Sequence, residues 1–296
     1  MKNSKLQWTG RSYGGRFGNY CFALLLRGGM LPAYALLVFV SAFFMFFRRV
    51  QCAESSLYLQ RVFKRKVSPI SIDCYRHLFS FGMSILDKYA YFAGRKIECE
   101  DLCKDKILDA RKDGKGVIVV VSHIGGWALA GGELARYGCP TGVIGLSREH
   151  KYIEDMARKH TVRQFPEMIA SADEPLSVVA AVSLLRKNGV LAVHGDRYVG
   201  GKFAKATLLG EEVRMPVSAY ALASKTGAKL LYVFCVRERM GKYKMFSSEA
   251  VNVPNLRGWQ FDTTMSEFTQ RYADNIECLL NDYPYQWYNF YPFWNQ

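Results

Sequence analysis

The feature that most constrains the fold of this chain is a short apolar run, Val117 to Val121, made of four valines and one isoleucine. β-branched residues without a charge predict a strand buried on both faces, as in a parallel sheet covered by helices. Ser122, His123 and two glycines follow closely, and residues 127–136 predict a helix. In open α/β sheets, ligands bind at this carboxyl end of the strands. A histidine held in a tight loop for structural reasons also fits the pattern.

The chain after Gly94 alternates between helical and strand patterns. Helices are predicted over 100–112, 127–136, 149–161, 176–188, 217–226 and 263–281, and strands over 116–122, 141–146, 190–194, 230–236 and 243–250. A loop rich in glycine and lysine is predicted over 199–214. Short links between alternating elements predict an α/β fold with a mainly parallel sheet flanked by helices. We place this domain at residues 96–296, after an N-terminal region of basic and apolar membrane-associating helices at residues 1–95.

The N-terminal region contains a long uncharged segment. Residues 28–47 carry no charge and lie between Arg27 and the pair Arg48-Arg49. About twenty apolar residues can cross a bilayer as a helix. A segment lying in one leaflet, an amphipathic pair at the interface or a buried core helix also fits, and basic residues at both ends give no orientation. We expect membrane attachment, because the apolar length, the aromatic content and the flanking arginines agree.

The positive charge of the chain is concentrated near its start. The formal net charge is +14, and residues 1–70 hold eleven lysines and arginines but one acid, Glu54. Such a field suits an anionic partner, which could be nucleic acid, acidic lipid or an acidic carrier protein. No nucleic-acid-binding motif is present, so we expect no nucleic-acid partner. The basic run 64–66 fits a solvated helix end or a contact with anionic lipid.

Cysteine spacing and motif absences argue against bound metals and cofactors. The eight cysteines are scattered without a CxxC pair, which suggests reduced thiols in a cytosol-facing domain. The histidines form no cluster at zinc-ligand spacing, and we expect no metal site. The glycine-rich nucleotide-binding motifs, the serine-hydrolase elbow G-x-S-x-G and the metalloprotease motif H-E-x-x-H are all absent. No cofactor is therefore expected.

Polar residues follow three of the predicted strands. His123 follows the first, Ser147-Arg148-Glu149 the second, and His194-Gly-Asp196-Arg197 the third. Because parallel strands end at one edge of a sheet, one crevice could be lined by His123, Arg148, Asp196 and Arg197. The group suits acyl transfer: the imidazole takes a proton from a hydroxyl, the arginines hold phosphates, and glycine N–H groups meet the oxyanion. Ordinary ion pairs at a sheet edge would also account for the charged residues.

Several blocks of this sequence resemble one family. Ser122-His-Ile-Gly-Gly-Trp-Ala-Leu-Ala resembles the first motif of the lipid A biosynthesis acyltransferases, which are lauroyl and myristoyl transferases of the lysophospholipid acyltransferase superfamily. Gly195-Asp196-Arg197, Met215-Pro216 and Pro284-Tyr-Gln286-Trp287 are similar to later blocks of the family, in the same order. The basic start and the apolar helix are similar to its membrane anchor. The resemblance implies a glycerolipid acyltransferase-like fold.

The resemblance also implies a reaction. A membrane-associated acyltransferase of this kind would move a fatty acyl chain from acyl carrier protein or acyl-CoA to a hydroxyl of an anionic lipid or glycolipid. It would act at the cytoplasmic face of the bacterial inner membrane, with His123 as general base. The other implied site residues are Asp196 in catalysis, Arg148, Arg158 and Arg197 as phosphate ligands, and Gly125, Gly126 and Trp127 in substrate binding.

One position departs from the family pattern. The motif places an acid five residues after its histidine, and this position is Ala128 here. Loss of a carboxylate that fixes a catalytic imidazole costs about 10⁴-fold in turnover in a serine protease. The chain could be an inactivated variant, natural or engineered, or another acid could substitute, with Asp196 a better candidate than Glu133. It could also bind lipid without catalysis.

Overall fold

The structure of the protein is a computed structural model that describes residues 29–144, 166–169, 175–198, 200–255 and 258–295. Within these ranges the strands are β1 (Glu98–Asp101), β2 (Val117–Val121), β3 (Thr141–Ile144), β4 (Glu167–Ile169), β5 (Val190–His194), β6 (Phe203–Leu208), β7 (Glu211–Pro216), β8 (Lys229–Arg239) and β9 (Lys242–Ser247). The helices are α1 (Met30–Phe47), α2 (Arg49–Phe63), α3 (Ile72–Phe92), α4 (Lys104–Ala110), α5 (Trp127–Leu134), α6 (Pro175–Arg186), α7 (Ser218–Thr226) and α8 (Gly258–Asp282).

A mainly parallel sheet forms the centre of the described structure. Its strand order is β1-β9-β8-β2-β5-β3-β4, and only the β8–β9 hairpin pairs antiparallel. Strand β2 lies between β8 and β5, so both of its edges are hydrogen-bonded. The predicted α/β class, with a parallel sheet flanked by helices, is confirmed.

The side chains of β2 alternate between two hydrophobic cores. Ile118 and Val120 face the core built with α6, α7, α8 and the β6–β7 hairpin. Val117, Val119 and Val121 face the other core, built with α1, α3, α4 and α5. Successive side chains of a strand point to opposite faces, so every residue of β2 must be apolar when both faces are covered. This arrangement explains the uninterrupted valine run and fixes the position at which His123 leaves the sheet.

The structure corrects several predicted elements. The predicted loop 199–214 is largely the antiparallel hairpin β6–β7, in which Ala204, Ala206 and Leu208 are buried and alternate with exposed residues. Small alanines in this alternation hid the strand from a search for bulky β-branched residues. The predicted helix 100–112 is shorter, because its first residues belong to β1. Strand β4 was missed, and the predicted helix 149–161 lies outside the described residues.

Helix α1 packs on the protein by one face only. Its buried residues lie against α3, where the Tyr34 hydroxyl donates to Asp87 and Leu37 packs against Gly82. The opposite face exposes a row of large apolar side chains: Leu31, Phe39, Phe43, Phe46 and Phe47. Within the described ranges, α1 is the one helix long and apolar enough to cross a membrane, as judged by length and composition.

The residues after α8 attach the N-terminal helices to the sheet. Trp287 is fully buried, and its ring meets Tyr58 of α2 edge-on at 5.5 Å between centroids. The Trp287 carbonyl accepts a hydrogen bond of 2.8 Å from Nε2 of His77, a buried residue of α3. The His77 Nδ1 atom lies 2.8 Å from the Ser55 hydroxyl. Because a carbonyl can only accept, a neutral His77 carries its proton on Nε2.

The buried His77 makes stability depend on pH. Burial lowers the pKa of His77 to about 4, although the hydrogen bond to the Trp287 carbonyl opposes this shift. In the unfolded chain the pKa is about 6.5, so between about pH 6.5 and 4 only the unfolded state binds this proton. We expect stability to fall as the pH is lowered through this window, by about 3 kcal/mol in full.

The measurement is the free energy of unfolding by urea at pH 7, 5.5 and 4 for the natural chain and for His77→Gln. Glutamine can still donate to the Trp287 carbonyl but does not titrate in this range. The difference between the two proteins isolates the histidine from other acid-sensitive groups. Equal slopes with pH for both proteins would contradict the prediction.

Candidate active site

His123 and Asp196 form a hydrogen-bonded pair where β2 and β5 end. Val121 pairs with His194 in adjacent parallel strands, so the residues that follow each strand meet at the same edge. The His123 Nδ1 atom lies 2.8 Å from Oδ1 of Asp196, and the His123 backbone N–H donates to Oδ2 at 2.8 Å. The carboxylate thus holds both the ring and the backbone of His123. The structure brings together the two residues that the sequence suggested as catalytic.

Asp196 is held as a buried carboxylate. Its side chain is 0% exposed, and Oδ2 accepts a second hydrogen bond from the Trp287 indole N–H at 3.0 Å. Burial alone would raise the pKa of Asp196. The facing His123, together with the nearby Arg197 and His194, lowers it by more, so the pKa of Asp196 is well below the usual range. An ionised carboxylate can only accept, so Nδ1 of His123 is the donor. A neutral His123 therefore has its lone pair on Nε2, and its side chain is 13% exposed.

The loop between His123 and α5 passes very close to β8. Gly125 has a φ of +53°, and a Cβ there would clash with the Cys235 carbonyl oxygen and lie 2.9 Å from the Gln286 amide oxygen. A Cβ at Gly126 would lie 2.6 Å from the Tyr243 ring. Only glycine fits both the backbone conformation and this close approach.

The two glycine N–H groups do not serve as we expected. Gly125 donates to the Gln286 carbonyl at 2.8 Å, and Gly126 donates to the Cys235 carbonyl at 2.7 Å. Each N–H thus already has a protein acceptor, and the expectation that these groups bind a substrate oxyanion is not supported by the geometry. The role of the glycines in this structure is to let the loop pack between β8 and the residues that follow α8.

Trp127 places an aromatic ring beside His123. Trp127, at the start of α5, lies 5.8 Å from the His123 ring centroid and 5.6 Å from that of Tyr288. The ring of Phe81 from α3 is parallel to that of Trp127, with centroids 6.5 Å apart. These rings give His123 an apolar neighbour on α5 and connect it to α3. Trp127, predicted as a substrate residue, is therefore next to the imidazole.

The remaining predicted site residues have different positions. Arg197 donates to the Tyr288 carbonyl at 3.1 Å and lies over the Tyr291 ring, so in this structure its guanidinium helps to hold the residues after α8. Arg148 and Arg158 lie outside the described residues. Ala128 is the second residue of α5 and is partly buried against the hydrophobic core on this side of the sheet. Glu133 is bonded to other groups, since its oxygens accept hydrogen bonds from Tyr91 of α3 and from Arg136, which follows α5.

Three contributors to the site were not among the predicted site residues. Trp287 and Gln286 belong to a block that the sequence singled out, yet their contacts were not foreseen. Gln286 bonds the backbone N–H and carbonyl of Arg237 with its side-chain amide, at 2.8 and 2.7 Å, which positions Trp287 under Asp196. His194 stacks on His123 with ring centroids 4.2 Å apart. Its place two residues before Asp196, at the last position of β5, was the available signal.

Three side chains of the site carry atoms that could bind a metal ion. The candidate ligand atoms lie within 4.8 Å of one another and belong to His123, His194 and Asp196. The two imidazole rings, however, are nearly parallel at 22° and stack face to face instead of converging on one point. Both oxygens of Asp196 already accept hydrogen bonds from N–H groups. Zinc sites need ligands that converge tetrahedrally, so this geometry favours a hydrogen-bonded proton-transfer pair over a metal centre.

Comparison with known families agrees with the motif arrangement. The sequence profile of the family described as bacterial lipid A biosynthesis acyltransferase matches residues 94–296. The chain belongs to this family. The resemblance seen in the sequence is thereby confirmed, and the match covers both His123 and the blocks that contain Asp196 and Trp287.

Curated relatives outside the lipid A enzymes are also similar. The phosphatidylinositol mannoside acyltransferase of Mycobacterium tuberculosis is 26% identical over 191 residues, covering 61% of this chain and 55% of the relative. The protein of the same name from Mycolicibacterium smegmatis is 25% identical over 205 residues, covering 68% and 63%. The aligned part of this chain therefore spans less than two thirds of each relative's length.

A solved structure gives a weaker match. The 1-acyl-sn-glycerophosphate (LPA) acyltransferase PlsC from Thermotoga maritima is 14% identical, with a TM-score of 0.40. The alignment covers 83% of this chain and 96% of that structure.

Proposed function

We propose that this member of the bacterial lipid A biosynthesis acyltransferase family is an active acyltransferase with His123 as its general base. The observation that carries the proposal is the hydrogen bond from His123 Nδ1 to the buried Asp196 carboxylate. This bond directs the lone pair of a neutral imidazole to Nε2, as a base that deprotonates a hydroxyl requires. Asp196 therefore takes the role that the family motif gives to an acid at position 128.

The proposed reaction is transfer of a fatty acyl chain from a thioester to a hydroxyl. Nε2 of His123 takes the hydroxyl proton while the oxygen attacks the thioester carbonyl carbon. The carbon–sulfur bond then breaks, and the leaving sulfur receives the proton from His123, giving an ester and a free thiol. Asp196 stabilises the imidazolium formed in between, and its lowered pKa keeps it ionised throughout.

The proposed acceptor is a membrane-embedded glycolipid. The family description names lipid A, and the mycobacterial relatives are named for phosphatidylinositol mannoside, so both printed names refer to acylated sugar lipids. The proposed donor is acyl carrier protein or acyl-CoA. Arg148, Arg158 and Arg197 remain our candidates for phosphate groups of either substrate.

The proposed location is the cytoplasmic face of the bacterial inner membrane. The exposed apolar face of α1 and the exposed Arg48 and Arg49 at its end suit a lipid surface with anionic head groups. Because the other face of α1 packs on α3, membrane contact through α1 would also set the orientation of the sheet relative to the lipid.

The alternative is a lipid-binding protein of the same fold without catalytic activity, which Ala128 favours. The experiment that separates the two follows thiol release from acyl carrier protein and acyl-CoA thioesters, with product lipid detected by mass spectrometry. We expect the natural chain to transfer acyl groups to glycolipid in detergent. If neither the natural chain nor Ala128→Glu forms any acylated lipid, the proposal is wrong.

The same assay tests whether position 128 lacks an essential acid. We expect Ala128→Glu to change turnover by no more than about threefold, because the Nδ1 proton of His123 is already held by Asp196. A gain of about 100-fold or more would show that Asp196 does not replace the missing carboxylate. Ala128→Gln, which has the same length without the charge, is the matched control.

A further inference from the structure

A second imidazole lies directly against the proposed base. The rings of His123 and His194 are stacked, with centroids 4.2 Å apart and an angle of 22° between their planes. His194 is the last residue of β5 and the register partner of Val121, so two strands hold the rings side by side. Gly195, whose Cβ would clash with Val120, lets the chain turn at once from His194 to Asp196. A stacked pair over one carboxylate is thus built into the sheet edge.

Few other charges face the pair among the described residues. Asp196 lies beneath it, and Arg197 follows on the same strand end. The Tyr272 hydroxyl from α8 donates to the Val121 carbonyl, and the Tyr288 hydroxyl bonds Ser80 and Ser84 of α3, so neither phenol is directed to the rings. Within the described ranges, the Asp196 carboxylate and the Arg197 guanidinium are the charged groups that lie near both imidazoles.

Two cations at this separation repel strongly when water is largely excluded. The Asp196 carboxylate favours a first positive charge on the pair. A second proton would then bind to a ring that lies about 4 Å from an imidazolium, which opposes its binding. Groups that interact in this way lose their protons in two macroscopic steps that belong to the pair and not to either residue.

We propose that His194 shares the titration of His123, so that the two stacked imidazoles take up protons in two coupled steps and share the first proton above Asp196. His194 acts through His123 and is therefore a positioning residue. At pH values below the first protonation step, the shared proton resides on His194 in part of the molecules. In these molecules His123 is still an unprotonated base. This catalytic consequence, unlike the coupling itself, rests on the proposed function.

The coupling is tested by nuclear magnetic resonance, with the histidines labelled with ¹⁵N and the protein in detergent micelles. We expect the ring signals of His123 to titrate in two steps separated by at least about one pH unit. In His194→Phe, which keeps a stacked ring but cannot take a proton, His123 should titrate in one step. If the protein with His194→Phe does not fold, His194→Gln is used instead.

The signal of the buried His77 is the internal control and should not change between the proteins. A one-step titration of His123 in the natural chain, with the same midpoint in the His194 variant, would overturn the proposal. So would two-step curves that persist when His194 is replaced, because the second titrating group would then lie elsewhere.

The pH dependence of kcat/KM provides the second readout. For the natural chain we expect a shallow acid limb between the two steps and a steep one below them. For His194→Phe the limb should fall tenfold per pH unit from its start. An identical limb in both proteins contradicts the proposal. If the natural chain transfers no acyl group, the proposed function fails and the resonance titration still decides the coupling.

Discussion

Replacing Asp196 with asparagine is expected to lower turnover by about 10³- to 10⁴-fold. The His123 and Trp287 N–H groups both donate to Oδ2, so the amide oxygen of asparagine would take this place. Its NH₂ group would then face Nδ1 of His123, which must become an acceptor. The imidazole proton moves to Nε2, and the lone pair needed to deprotonate the acceptor hydroxyl is lost.

The control for this variant is Glu133→Gln, which neutralises another largely buried carboxylate, whose bonds go to Tyr91 and Arg136. We expect its turnover to stay within about threefold of the natural chain. Thermal unfolding of Asp196→Asn should show a cooperative transition, which separates a lost base from a lost fold. If Asp196→Asn keeps turnover near the natural level, Asp196 does not orient the base and the assignment is wrong.

Replacing Gly125 with alanine is expected to destabilise the protein by about 3–5 kcal/mol. Two effects add: an alanine at a φ of +53° is strained, and its methyl group would overlap the Cys235 carbonyl oxygen and approach Gln286. Relief requires the loop to move away from β8, which would break the hydrogen bonds of Gly125 and Gly126. Because His123 begins this loop, activity should fall with stability.

Gly138→Ala is the matched control. Gly138 has a φ of +71°, but its Cβ would meet nothing within 4 Å, so this variant carries the backbone strain without the overlap. We expect a loss of about 1–2 kcal/mol in urea unfolding and unchanged turnover. Equal losses for the two variants would show that the close approach of the loop to β8 contributes nothing to stability.

The central part of the fold and site could be predicted because it follows from short-range patterns. The valine run of β2 requires cover on both faces, and parallel strands place their carboxyl ends together, which brought His123 and Asp196 to one edge. The choice of Asp196 over Glu133 as the neighbouring acid also follows from this rule, since Glu133 does not end a strand but lies within α5, ten positions after His123.

The contacts that complete the site could not be predicted, because they join residues far apart in the sequence. Nothing local indicates that Trp287 donates to Asp196, or that the Gly125 N–H is taken by the Gln286 carbonyl. The glycines were expected to serve a ligand because their N–H groups were assumed to be free. The β6–β7 hairpin was missed for a related reason, since its small residues become buried in a core formed by distant parts of the chain, including α8.

The indole of Trp287 has a consequence for the timing of maturation. Trp287 follows Asp196 by 91 positions, and the ribosome adds residues in order, so it leaves the exit tunnel long after the sheet edge has been made. Until then the Asp196 carboxylate lacks one of its three hydrogen-bond donors, and the contacts of Trp287 with α2 and α3 are not made. A nascent chain therefore lacks the indole donor to Asp196 until synthesis has passed Trp287.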